Sequence, residues 1–109
     1  MAAMESMEGI LRQELLRLQE AEKSYVREIA KLPRGSLQEK RIKGIIYPYL
    51  VSSKNSKISF RYLGSLSDPE LKKLKEDIVL RKKYQALLRQ VRQNIKRIRK
   101  IVRGKKRTI

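Results

Sequence analysis

Residues 36–63 read SLQEKRIKGIIYPYLVSSKNSKISFRYL, and this stretch decides the fold. Three runs, 36–42, 45–52 and 57–63, are rich in Ile, Val, Tyr and Phe, residues that suit a pleated, half-buried surface. Lys43-Gly44 and Ser53 to Ser56 separate them, and both separators are turn-type sequences. The reading is a three-stranded antiparallel meander. Strand periodicity puts Tyr47, Tyr49 and Val51 on one face of the second run and Ile46, Pro48 and Leu50 on the other. In the third run Ile58, Phe60 and Tyr62 alternate with Ser59, Arg61 and Leu63. Pro48 conflicts with this scheme, because a meander makes the second strand central and proline cannot donate to its ladder. The expectation is either a bulge at Pro48 or a different strand order.

On the N-terminal side of the meander, Met4, Met7, Leu11, Leu15, Leu18, Ala21, Tyr25, Ile29 and Leu32 recur in steps of three and four. That spacing predicts an amphipathic helix over 4–32, stopped at Leu32 because the residue before Pro33 is pushed out of the α region. Glu8 and Arg12 are spaced to pair on its surface. On the C-terminal side, Ser67-Asp68-Pro69-Glu70 has the spacing of a capping box with proline in the first turn. A second helix is expected over 69–103, ended by Gly104, with a disordered basic tail over 104–109. Its apolar stripe is Leu71, Leu74, Ile78, Leu80, Tyr84, Leu87, Leu88, Val91, Ile95, Ile98 and Val102. From Leu88 the steps alternate three and four, a coiled-coil-like seam. At 1.5 Å per residue this helix is roughly 50 Å long, against about 20 Å for a strand, so it needs a further partner along its length. The fold class is α+β within one small domain, 1–109, with the two helices packed by their apolar stripes.

The chain has 109 residues and a net charge of +17, from 28 Lys+Arg against 11 Asp+Glu, with no Cys or His. Thiolate and imidazole chemistry, disulfides and zinc-finger sites are therefore absent from this chain, and no Walker or dinucleotide glycine loop is present. No cofactor, metal site or catalytic residue is expected, since the carboxylate pairs lie beside basic residues without a second catalytic partner. Rings at Tyr47, Tyr49, Phe60 and Tyr62 are expected to serve as core beneath the helices. The other reading is that basic residues interleaved with them suit stacking on bases.

The charge is local. The last acid is Asp77, and the thirteen charged side chains after residue 80 are all Lys or Arg. A helix bearing so many like charges at i,i+4 is destabilised unless something anionic covers it. Nucleic acid, DNA or structured RNA, is the expected partner, held through its backbone. The candidate contacts on the last helix are Arg81, Lys82, Lys83, Arg89, Arg92, Lys96, Arg97, Arg99, Lys100 and Arg103, continued by Lys105, Lys106 and Arg107. Lys40, Arg41, Lys43, Lys57 and Arg61 add a second group on the sheet.

The segment Leu32-Pro33-Arg34-Gly35-Ser36-Leu37 is followed by Lys40, Ile42-Lys43-Gly44, Tyr47, Tyr49-Leu50, Lys57 and Tyr62-Leu63-Gly64. Over about residues 32–90 it resembles a family of small prokaryotic domains with a Leu-Pro-x-Gly-Ser opening, a tyrosine-rich hairpin or meander and a charged C-terminal helix. The resemblance implies a mobile-element or phage-like setting, at times beside nucleotidyltransferase or Fic-type domains, and no established activity. The chain departs from the family in Pro48 and in a far more basic final helix.

The function expected is that of a non-enzymatic nucleic-acid-binding or nucleoprotein-associated accessory protein. The main alternative is an interaction module, such as a phage-encoded inhibitor, bound to an acidic or nucleic-acid-binding surface of a partner protein. A homodimer through the helical seam is a third reading. A membrane partner is not expected, since the basic helix lacks Trp or Phe at an interface and no apolar run reaches about 18 residues. Met1 to Glu8 carry two glutamates rather than a basic, apolar leader, so a cytoplasmic location is expected.

Overall fold

Two tight turns organise the middle of the chain. Lys43 and Gly44 have φ of 51° and 81°, and Asn55 and Ser56 have φ of 53° and 64°. Positive φ at both central residues is the type I′ turn, whose twist matches that of paired strands. The computed structural model describes residues 6–107, with side chains for 6–104, and gives the order α1 (Met7–Lys31), β1 (Ser36–Ile42), β2 (Ile45–Lys54), β3 (Lys57–Tyr62), α2 (Asp68–Arg107). The architecture is α+β, with an antiparallel sheet of order β1-β2-β3. The contacts divide the chain into a helical unit, 1–29 with 84–109, and a sheet unit, Ala30–Lys83.

In the sheet unit the register runs unbroken from Ser36↔Val51 to Ile42↔Ile45 and from Tyr49↔Tyr62 to Lys54↔Lys57. Pro48 causes neither the bulge nor the altered strand order that its chemistry predicted. Its carbonyl accepts from the Leu63 N–H at 2.9 Å, so the side of the residue that would carry an N–H faces β3. β3 ends at Tyr62, one residue short of pairing there. The missing donor therefore falls at the end of the ladder, while opposite Glu39 on β1 no bond is needed. Ser52 and Ser59, directly opposite each other, share a hydroxyl hydrogen bond of 2.9 Å.

Leu63 is the most buried side chain, 1% exposed, and Ile78 on α2 is the other buried residue of this unit. Gly64, the next residue, leaves the space that the Tyr62 phenol occupies, since a Cβ there would fall on that ring. Gly35 has φ of 120°, and a Cβ on it would lie 2.6 Å from the Val51 carbonyl oxygen. These close approaches account physically for glycine at both ends of the Leu-Pro-x-Gly-Ser to Tyr-Leu-Gly segment.

The helix ends follow local chemistry. Ser6 caps α1, its Oγ accepting from the Gly9 N–H at 3.0 Å, so the helix opens at Met7 and the expected Met4 lies outside the described residues. The predicted capping box is formed: Glu70 N–H donates to Ser67 Oγ at 3.3 Å, and Ser67 N–H to Glu70 Oε2 at 3.2 Å. α2 does not stop at Gly104 but runs to Arg107. Gly104 lacks the positive φ that a glycine terminator adopts, and in a right-handed conformation it costs only about 1 kcal/mol relative to alanine.

In the helical unit Leu18 packs with Val91, Ile95 and Ile98 as one buried cluster, flanked by Leu11, Leu15, Ala21, Tyr25 and Val102. Tyr25 and Tyr84 extend it with ring centroids 5.8 Å apart. Of the predicted stripes, Met7 and Leu87 are exposed. The surface of α1 is tied by Arg12–Glu8 at 2.8 Å and by a two-bond Arg17–Glu14 pair. The Arg17 hydrogen bond holds the Glu14 carboxyl below its usual range, so its stabilisation is present above the ordinary carboxylate pKa and fades as pH falls. On α2 the hydrogen bond to Asp77 raises Lys73, whose contribution is lost only as pH climbs through the raised value.

Gly35→Ala is expected to destabilise the sheet unit by roughly 1–3 kcal/mol, because it meets both a forbidden φ and a backbone oxygen. Conversely, Ser56→Gly removes a side chain from a left-handed position and is expected to stabilise by about 0.5–1 kcal/mol. Thermal unfolding followed by circular dichroism checks both signs.

Candidate nucleic-acid interface

The seam on α2 carries its cations one residue later. Leu88, Val91, Ile95 and Ile98 are buried, with Val102 half-buried. Arg89, Arg92, Lys96, Arg99 and Arg103 repeat the same three-and-four step at positions one residue further on, and all five are exposed. At 100° per residue the offset turns them off the buried stripe onto one flank of the helix. The other flank carries Leu87, Gln90, Asn94, Arg97 and Ile101, and Gln90 donates its amide to Asn94 Oδ1 at 3.4 Å. Five cations therefore stand on one flank of the seam against one, Arg97, on the other.

Two shallow grooves border this row inside the helical unit. One is lined by Ile29, Gln85, Leu88, Arg89, Arg92, Gln93 and Lys96. The next is lined by Glu22, Arg92, Ile95, Lys96, Arg99, Lys100 and Arg103. Both have a floor of seam residues and a wall of cations. Glu22 is the one acid among these lining residues, and it accepts from Arg92 Nε at 2.9 Å across 70 positions of sequence. The pair joins α1 to α2 at the edge of the row and, being partly exposed, contributes at most about 1 kcal/mol. Arg89, Lys96, Arg97, Arg99, Lys100 and Arg103 make no ion pair with any described carboxylate.

The remaining expected residues are placed differently. Arg97, one residue before Ile98, stands on the flank opposite the row. Arg81 belongs to the sheet unit, where its Nη1 donates to the Leu32 carbonyl at 2.9 Å, partly buried. It satisfies a backbone acceptor left open just past the end of α1, so its guanidinium is engaged in the fold. Lys82 and Lys83 are exposed on the same stretch of α2. Lys105, Lys106 and Arg107, expected as a disordered tail, continue the backbone of α2, and their side chains lie outside the described residues. On the sheet, Arg41, Lys57 and Arg61 share the face of Leu37, Leu50 and Leu63, whereas Lys43 sits in the first turn.

Lys40 lies on the other face, its Nζ 4.9 Å from the Tyr49 ring centroid and 4.7 Å from that of Phe60. This is the face that the sequence assigned to the core, and the assignment is corrected. Phe60 is 53% and Tyr62 50% exposed, Tyr47 and Tyr49 are half-buried, and Ile42, Ile45 and Ile58 are open to solvent. The half-buried and buried leucines lie on the opposite face, so the single best-packed residue, Leu63, fixed which side turned inward. The alternation was readable in the sequence, but two apolar faces gave no sign of which one faces solvent.

Among the described residues no group of three or more acidic side chains is placed to hold a metal. No described helix is long and apolar enough to cross a membrane. Comparison of the chain with family models, with curated proteins and with solved structures finds no match.

The one-residue offset between seam and row separates stability from charge. Ile95→Ala is expected to lower stability by about 2–4 kcal/mol through lost burial and a cavity. Lys96→Ala, the neighbouring residue, is expected to change it by less than about 0.5 kcal/mol. Urea midpoints of the two variants measure the contrast.

Proposed function

We propose that this protein is a non-enzymatic nucleic-acid-binding accessory protein that grips the phosphate backbone with the C-terminal part of α2. The observation that carries this reading is the row Arg89, Arg92, Lys96, Arg99 and Arg103, five cations in register along one flank of a buried seam. The row extends about 21 Å at 1.5 Å per residue, a length over which one strand of duplex presents about six phosphates. Seam packing on α1 holds the backbone of the row, so the flexible part of each contact is only the side chain. No base-reading arrangement is part of the proposal, since guanidinium and ammonium groups set along one helix flank bind backbone charge and position without reading sequence.

Binding of this kind releases counterions, and its affinity falls with salt. Fluorescence anisotropy with labelled duplex DNA and structured RNA, at about 50–300 mM KCl, is expected to give a log–log slope of roughly −4 to −5. The triple variant Lys96→Gln, Arg99→Gln, Arg103→Gln is expected to bring the slope about 2.7 closer to zero. A flat salt response, with one acidic protein co-purifying and no nucleic acid, would overturn this reading in favour of a protein-interaction module.

A further inference from the structure

The sheet carries an exposed face that the helical row leaves unexplained. Strand register gathers Tyr47, Tyr49, Phe60 and Tyr62 on it, around Lys40. Tyr62 lies 6.1 Å from Tyr47 and 5.4 Å from Tyr49 between centroids, tilted by 45° and 50°. Such tilted rings do not stack flat on one another, so their π faces are not used up among themselves. The one buried residue of the sheet segment, Leu63, is on the opposite face. No residue of the face is acidic, because Glu39, the only acid of the strands, points the other way.

We propose that this face is a stacking platform for unpaired nucleobases, which makes single-stranded or locally opened nucleic acid the ligand class of the protein. The inference rests on the reading that the chain binds nucleic acid. Every base has a π face, and a base stacked on an aromatic side chain strengthens binding by about five- to a hundred-fold. An ammonium over an exposed ring contributes only about two- to five-fold. A base therefore displaces Lys40 Nζ from Tyr49 and Phe60, and the freed ammonium is left beside the phosphate that the same nucleotide brings. A second copy of the chain does not offer this exchange. Face-to-face pairing of two sheets would enclose both Lys40 ammoniums without a counter-charge, between chains of net charge +17.

The test compares a labelled 12-nucleotide oligothymidylate, an oligouridylate of equal length and a 12-base-pair duplex, each over about 50–300 mM KCl. Phe60→Leu keeps apolar bulk but removes a ring. It is expected to weaken binding of both single strands about tenfold, leave the duplex and the salt slope unchanged, and be reversed by Phe60→Tyr. In the unaltered chain, which has five Tyr and no Trp, either single strand is expected to quench tyrosine fluorescence. That readout stands even if a variant folds poorly. Tighter binding of oligouridylate assigns RNA and tighter binding of oligothymidylate assigns DNA, each in support. The proposal is overturned if Phe60→Leu binds single strands as the unaltered chain does, if no quenching occurs, or if sedimentation finds a dimer that Phe60→Leu dissociates. A chain that binds none of the three probes refutes the nucleic-acid reading itself, whereas salt-dependent duplex binding without single-strand quenching refutes only the platform.

Discussion

The packing of Leu18 against Val91, Ile95 and Ile98 is the constraint on which the helical unit depends. A helix carrying this many like charges has little reason to form alone, since neighbouring cations at i,i+4 repel along it. Burying one apolar stripe against α1 supplies the missing stabilisation, as amphipathic burial does for most helices in proteins. It also fixes the rotation of α2 about its axis. Once four positions are turned inward, every other side chain on that helix has an assigned direction, including the cations one residue further along.

The sheet unit answers to a different constraint, the two type I′ turns. Each leaves two residues between paired strands, and that count sets the register of the whole sheet. A slip of one residue between β2 and β3 would carry Phe60 and Tyr62 to the face of Leu50 and bring Arg61 to the face of Tyr47 and Tyr49. Gly35, pressed against the Val51 carbonyl, pins the start of β1 in the same register. Backbone geometry, more than side-chain burial, therefore determines what this face displays.

Most of the secondary structure was legible because it follows local periodicity and local capping. The seam from Leu88 to Val102, the capping box of Ser67 and Glu70, and the strand run 36–42 all depend on neighbours within a few positions. What could not be read depends on contacts far along the chain. Pro48 is tolerated only because β3 happens to end at Tyr62. Arg81, one of the thirteen cations after residue 80, is set apart by a carbonyl 49 residues away. The Ser6 cap was open to reading, as a serine three residues before Gly9, but the apolar stripe continuing back to Met4 drew the boundary past it. Which face of the sheet meets solvent was ambiguous in principle, since both faces carry apolar residues and a ring serves equally well as core or as contact surface.

The strand order has one more consequence. In a sheet of order β1-β2-β3 only β2 is paired on both sides, so β1 and β3 each present an open row of backbone donors and acceptors beside an apolar face. That combination invites strands of other molecules to add on and grow into aggregates. Glu39, Lys40 and Arg41 crowd the middle of β1, while β3 is six residues long and bears Lys57 and Arg61. A strand arriving at either edge would have to bring its own side chains alongside these charges. The cations of the sheet thus keep the chain from polymerising through its edges, a role that holds whether or not any of them ever meets a phosphate.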